Sequence, residues 1–170
     1  MNRGKSVTAI AMGTNKGIYR FVHENPDVEF YPVSYTHDVC VIGKIDQFIT
    51  INSAIQIDLF GQINAETIRG RPVSGVGGSQ NFTTGASRSM GGKTIVALPS
   101  TAAGGKVSRI VSILDPNAGV TTPRADIHYV VTEFGVANLR GKTLSQRARE
   151  LAAIAHPDFR EELKKAWERR

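Results

Sequence analysis

The sequence predicts an α/β fold: an open, mostly parallel sheet with helices on both faces and two helices closing the chain. Three observations carry that prediction. Short β-branched apolar runs bounded by glycine and polar turns recur between residues 7 and 132. Segments with the helical period stand between some of them. Residues 143–167 then carry two separate amphipathic patterns. Apolar strands alternating with helices belong to a sheet covered on its faces. At 170 residues, 41% apolar and 21% charged, the chain reads as one domain, 1–170, long enough to bury a core, which excludes disordered and fibrous classes.

In chain order, Val7 to Met12 is a short apolar run between Gly4 and Gly13 and predicts a strand. Asn15 to His23 puts Ile18, Phe21 and Val22 on one helical face, and Asn25-Pro26 stops it. Val28 to Val33 alternates as a strand does. Val39 to Ile42 is apolar, so Cys40 within it is expected to be a small buried hydrophobe and not a nucleophile. One cysteine forms no internal disulfide, which fits a reducing, cytoplasmic setting. Phe48 to Ile57 predicts one strand or a pair, and Phe60 to Asn64 a turn into a further short strand. Ser79 to Ser87 can form a helix. Lys93 to Leu98 and Val107 to Leu114 predict strands separated by a turn at 100–105, and Ile127 to Thr132 predicts another. Thr143-Leu144-Ser145-Gln146 is a capping box, followed by Ala148, Leu151, Ala152 and Ala155 on one face. Pro157 suits the first turn of a last helix striped by Phe159, Leu163, Ala166 and Trp167, with Trp167 read as packing.

The stretch SGVGGSQNFTTGASRSMGGK at 74–93 is the densest in glycine, and two phosphate motifs fail on it. A P-loop would need glycine where Ser87 stands, and Lys93 opens a strand instead of a helix. A dinucleotide fingerprint beginning Gly75-x-Gly77 would need glycine where Gln80 stands. Gly75, Gly77 and Gly78 still permit close backbone approach to a ligand, and a helix beginning at Ser79 would add partial positive charge toward a carboxylate, thioester oxygen or phosphate. A tight strand-to-helix turn without a ligand explains the glycines equally well.

No apolar run approaches the ~20 residues of a membrane-spanning helix. The opening MNRGKSVTAIAMG lacks the apolar segment and cleavage site of a secretory leader. The net charge of +6 includes four basic residues in EELKKAWERR and is otherwise scattered, and aromatic residues are 7%. It reads as a solvated face, or as attraction for a small anion, and nucleic acid is not expected. His23, His37, His128 and His156 show no metal-ligand spacing, so no metal is expected.

The ordered series SGVGGSQNFTTGA, SMGGKTIVALPSTA, KVSRIV and VTEFGVANLRGKTLSQRARELAAIAHPDFREEL resembles the C-terminal half of the acetyl-CoA hydrolase/transferase family, in its 4-hydroxybutyrate and butyrate:acetate CoA-transferase branch. YPVSYTHDVCVIGK and INSAIQIDLFGQINAE match in the same order, so the resemblance runs from about Val7 to the chain end. It implies two related α/β domains with an active site between them, coenzyme A as the acyl-CoA substrate, and ping-pong transfer between carboxylic acids through a glutamyl-CoA thioester. The resemblance places that glutamate upstream of Val7, so no catalytic nucleophile is expected in this chain, which alone would be inactive without an N-terminal domain. It implies that Gly75, Gly77 and Gly78 face the reacting centre and that Glu133 is a pocket residue. An acid held by backbone N–H groups at a strand end is an equal reading of Glu133. Lys93 would attract CoA phosphates or simply cap its strand. Asn25 matches an asparagine near the family's active site, or is ordinary helix-stop chemistry. Glu66 reads as a turn acid. Asn81 stands where many relatives have Asp. Transferase, hydrolase and a non-catalytic CoA-binding or assembly module stay open, and a surface meant for another domain would leave an apolar patch favouring self-association.

Overall fold

The computed structural model describes residues 4–169. The chain opens with a small parallel unit, β1 (Ser6–Thr8), α1 (Gly17–Val22) and β2 (Val28–Phe30), in which Ser6 to Thr8 pair with Val28 to Phe30. Its elements are shorter than the sequence pattern suggested. The strand expected to Met12 ends at Thr8, whose hydroxyl accepts the Ile10 amide and donates to the Ile10 carbonyl, turning the chain out of the ladder. The strand expected to Val33 ends before Pro32, which has no amide to donate and caps α2 (Val33–Thr36).

Asp38 then caps α3 (Val39–Gly43), accepting from the amides of Cys40 and Val41. The expectation of a buried Cys40 is corrected here. The apolar run is one short helix that turns only Ile42 fully inward, and Cys40 is exposed.

The chain continues through β3 (Ile49–Asn52), β4 (Gln56–Asp58), β5 (Ile63–Asn64), β6 (Thr67–Ile68), β7 (Arg71–Pro72) and α4 (Ser79–Arg88). It then forms β8 (Lys93–Ala97), β9 (Thr101–Ala102), β10 (Val107–Ser108), β11 (Ile110–Val111), β12 (Tyr129–Thr132) and β13 (Gly135–Asn138), and ends in α5 (Leu144–Ala153) and α6 (Pro157–Glu168).

The main sheet has the order β13-β12-β8-β3, with β3, β8 and β12 parallel and β13 antiparallel at the edge. A second sheet, β11-β4-β5, feeds Ile57, Ile63 and Ile110 into a core shared with Val96, Val130 and Ala137 of the main sheet and Leu151 of α5. The α/β class and the mostly parallel sheet are as the sequence predicts. The helical cover, expected on both faces, lies on one among the described residues. Val96, Val130 and Ala137 point into the core under α5, and Asn52 on the same face reaches Thr83 of α4 at 3.5 Å. The pleat sends Ile49, Ile51, Ile95, Val131 and Val136 to the other side, where Ile51 is 67% exposed and Val136 59%.

The closing helices form as their sequences dictate. The Thr143 hydroxyl accepts the Gln146 amide while the Gln146 side chain accepts the Thr143 amide, and Ala148, Leu151 and Ala152 are buried. His156 caps α6 with Pro157 in its first turn, and Trp167 packs edge-on against Phe60 with ring centroids 5.9 Å apart. Among the described residues no helix is long and apolar enough to cross a membrane.

Candidate active site

The connection from α4 to β8 is only residues 89–92, so α4 runs back against β8 and its first turn lies at the carboxyl ends of the parallel strands. Ligands of open α/β sheets bind at that edge. The glycine loop sits there. Its entry is fixed by the Glu66 carbonyl, which accepts the amides of Val73 and Ser74 at 2.8 and 3.4 Å. Gly75, Val76 and Gly77 are exposed, and Gly77 has φ 62°, a left-handed conformation natural to glycine. A Cβ added at Gly75 or Gly77 would meet no heavy atom within 4 Å. Among the described residues the amides of Gly75 to Gly78 donate to no protein group, so they are available to an incoming oxygen.

The loop rests on His37. Its imidazole lies against Gly78 so closely that any side chain at 78 would collide with the ring. The same ring packs on Phe82 at 4.7 Å, and its Nδ1 lies 2.8 Å from the Thr36 hydroxyl. Asn81 Nδ2 donates to the His37 carbonyl at 2.9 Å. An aspartate at 81, with acceptors only, would put an anion against that carbonyl, so Asn81 matches the neighbour this chain provides. Sequence reasoning missed His37 as the support of the loop. Its one signal was the polar Thr36-His37-Asp38 interrupting apolar runs.

Glu133 and Ser100 also stand at this edge, just past the ends of β12 and β8. Ser100 is fully buried, and its amide and hydroxyl donate to the two Glu133 oxygens at 2.9 and 2.6 Å. The Ser100 hydroxyl, followed by backbone amides, holds the Glu133 carboxyl below the usual carboxylate range. Glu133 thereby ties the ends of β8 and β12 together. Ser100 was unmarked in the sequence because its partner is 33 residues away.

Lys93 and Asn25 are placed elsewhere. Lys93 opens β8, exposed, at the amino end of the strands. Across the length of α4, ten residues, that is about 15 Å from the glycine loop. There it belongs to a basic edge: burial first, then the charges of Arg140 and Lys93, holds the His128 imidazole below its usual range. Asn25 follows α1, donating to the Phe21 carbonyl and accepting the Asp27 amide, both at 2.9 Å, so its bonds are local to that turn. The Glu66 side chain lies on Gly119. Among the described residues no three His, Cys, Asp or Glu side chains cluster as metal ligands would. A groove of about 840 Å³ lies between α5 and α6, away from this edge. A cavity of about 580 Å³ shares His37 and Phe82 with the support of the loop.

With that geometry in view, comparison with known proteins is direct. The acetyl-CoA hydrolase/transferase C-terminal domain family matches residues 13–167. The 4-hydroxybutyrate coenzyme A transferase of Clostridium kluyveri is 52% identical over 170 residues, all of this chain and 39% of its own length. Crystalline RipA from Yersinia pestis superposes with a TM-score of 0.90 at 44% identity, covering 98% of this chain and 37% of RipA. A 4-hydroxybutyrate CoA-transferase from Porphyromonas gingivalis superposes with a TM-score of 0.81 at 47% identity, covering 97% of this chain and 37% of that one. The chain thus spans less than two fifths of the length of these relatives.

Proposed function

The chain belongs to the acetyl-CoA hydrolase/transferase family, and from that premise we propose that it supplies the glycine-loop half of an acyl-CoA:carboxylate CoA-transferase site, working in the cytoplasm with an N-terminal domain that brings the nucleophile. The observation that carries this reading is the row of unengaged amides from Gly75 to Gly78 at the carboxyl edge of the sheet, with Gly75 to Gly77 open to solvent.

In this reading a glutamate carboxylate from outside the matched region attacks the thioester carbonyl of a short acyl-CoA. The carbonyl oxygen becomes an oxyanion, and the loop amides donate to it. One such donor contributes on the order of 10²–10³ in rate in well-studied acyl transfer. The C–S bond breaks, leaving an acyl-glutamyl anhydride and the CoA thiolate. The thiolate attacks the glutamyl carbonyl, the first acid departs as its carboxylate, and a glutamyl-CoA thioester remains. A second carboxylate reverses these steps and leaves as the new acyl-CoA. Every bond made is matched by one broken, so no external energy source is required. Glu133 and Ser100 brace the ends of β8 and β12, and His37 sets the height of the loop.

An acyl-CoA:acetate exchange assay tests this. The chain alone is expected to show no turnover above blank. Adding the polypeptide that its relatives carry outside the matched region is expected to restore exchange. Turnover by the isolated chain would overturn the assignment of the nucleophile elsewhere. In the restored enzyme, CoA passing faster when acetate is added marks a transferase, and indifference to acetate marks a hydrolase.

A further inference from the structure

Among the described residues the outward face of the main sheet has no covering partner. Ile49, Ile51 and Val136 are 51, 67 and 59% exposed, and the register makes them a continuous apolar surface: Ile51 pairs with Ile95, Ile95 with Tyr129, and Val131 with Val136. Parallel strands are normally buried on both faces, because their crossovers carry helices there. Lys93 shares this face, next to Ile49 across the strand pair. We propose that this face is a docking surface for an amphipathic helix, apolar along one stripe and carboxylate-bearing near Lys93, contributed by polypeptide of the kind its relatives carry outside the matched region.

Three considerations favour that occupant over a second copy of the chain. Four strands of four or five residues, spaced about 4.8 Å apart, present roughly 300 Å². A stable two-protein interface needs about 800 Å² from each partner, whereas a helix about 10 Å across and a few turns long matches the smaller area. Lys93 at one corner, on the same margin as Arg140, favours an acidic neighbour, and a second copy would set Lys93 near another Lys93 or against isoleucine. Finally, the relatives are long enough to provide such a layer, since the match takes up 39% of one and 37% of another. The inference rests on family membership and the exposed face, not on the transfer chemistry.

Thiol labelling tests it. In a Cys40→Ser background, Ile51→Cys and Val136→Cys are reacted with a maleimide in this chain alone and in a fusion carrying ahead of it the unmatched part of the Clostridium kluyveri relative. Labelling at both positions is expected to slow at least tenfold in the fusion, while an exposed control, Lys165→Cys, keeps its rate. Equal rates in both proteins would overturn the proposal. So would protection in the chain alone that rises with its concentration, which would assign the face to a second copy. Should the fusion not unfold cooperatively, the same labelling on a pair co-expressed as separate polypeptides reads the same outcomes. A fusion that protects Ile51 yet transfers no CoA keeps the docking face and removes the transferase reading.

Discussion

Glu133 shows how much one side chain settles at this edge. Its two oxygens take the amide and hydroxyl of a single buried serine, so the ends of β8 and β12 are joined by one carboxylate. The folded value of its acid constant lies below the ordinary 4.5, and a depressed carboxylate stabilises above the unfolded value and loses that contribution as pH falls through the folded one. Glu133→Gln is therefore expected to lower the melting temperature at neutral pH, modestly because the side chain is exposed, with the gap closing in acid well below 4.5. Melting curves of both proteins across that range check it, and a gap that stays constant would remove the charge from the explanation. Residue type left Glu133 and Asn25 each with two readings. The choice between readings lies in partners distant along the chain, as Ser100 is from Glu133, or in turn geometry, as Phe21 and Asp27 are for Asn25.

Elements specified within a few residues were legible, and those specified by remote pairing were not. The Thr143 capping box needs only four consecutive residues and forms as its sequence dictates. Thr143→Ala removes the acceptor for the Gln146 amide and is expected to cost about 1 kcal/mol, with Ser145→Ala as the control, both read by chemical denaturation. A loss no larger than the control's would show that packing on Leu151 alone holds the start of α5. Val107 to Leu114 looked like one strand, yet Val107 and Ser108 pair with β9 while Ile110 and Val111 pair with β4. The Ser108 hydroxyl donates to the Ile110 carbonyl between them, a local bond that lets the chain leave one sheet for the next. Period alone does not register such a transfer, because both halves keep the apolar composition of a strand. The outward isoleucines misled in the same way: an apolar alternate face looks buried in sequence whether or not its cover is part of the same chain.

Across the whole molecule, burial is uneven. No described residue before Ile42 is fully buried, whereas the core from Ala54 to Leu163 knits both larger sheets and the closing helices. The β1-α1-β2 unit is therefore expected to open independently and the rest as one cooperative body. Native-state hydrogen exchange should show the paired amides of β1 and β2 exchanging well ahead of those of Val96 and Val130. Equal protection would mean that the first unit is bound into the core by contacts other than burial. The fold class was legible because it depends on the sum of many runs, and the family because its motifs keep their order. The division of the strands into several small sheets was not, since it depends on which distant segments meet.

The reversal of α4 against β8 gives the two margins of the sheet opposite characters. One margin gathers the positive side chains of Lys93 and Arg140 near the His128 imidazole, and the other offers uncharged amide hydrogens and the Glu133 carboxylate. A drifting anion would feel the first margin from farther away, until ordinary salt damps that pull within about 8 Å. Any preference for the glycine bend must then come from the directional reach of hydrogen bonds at contact, so a ligand's shape would outrank its valence in deciding where it settles.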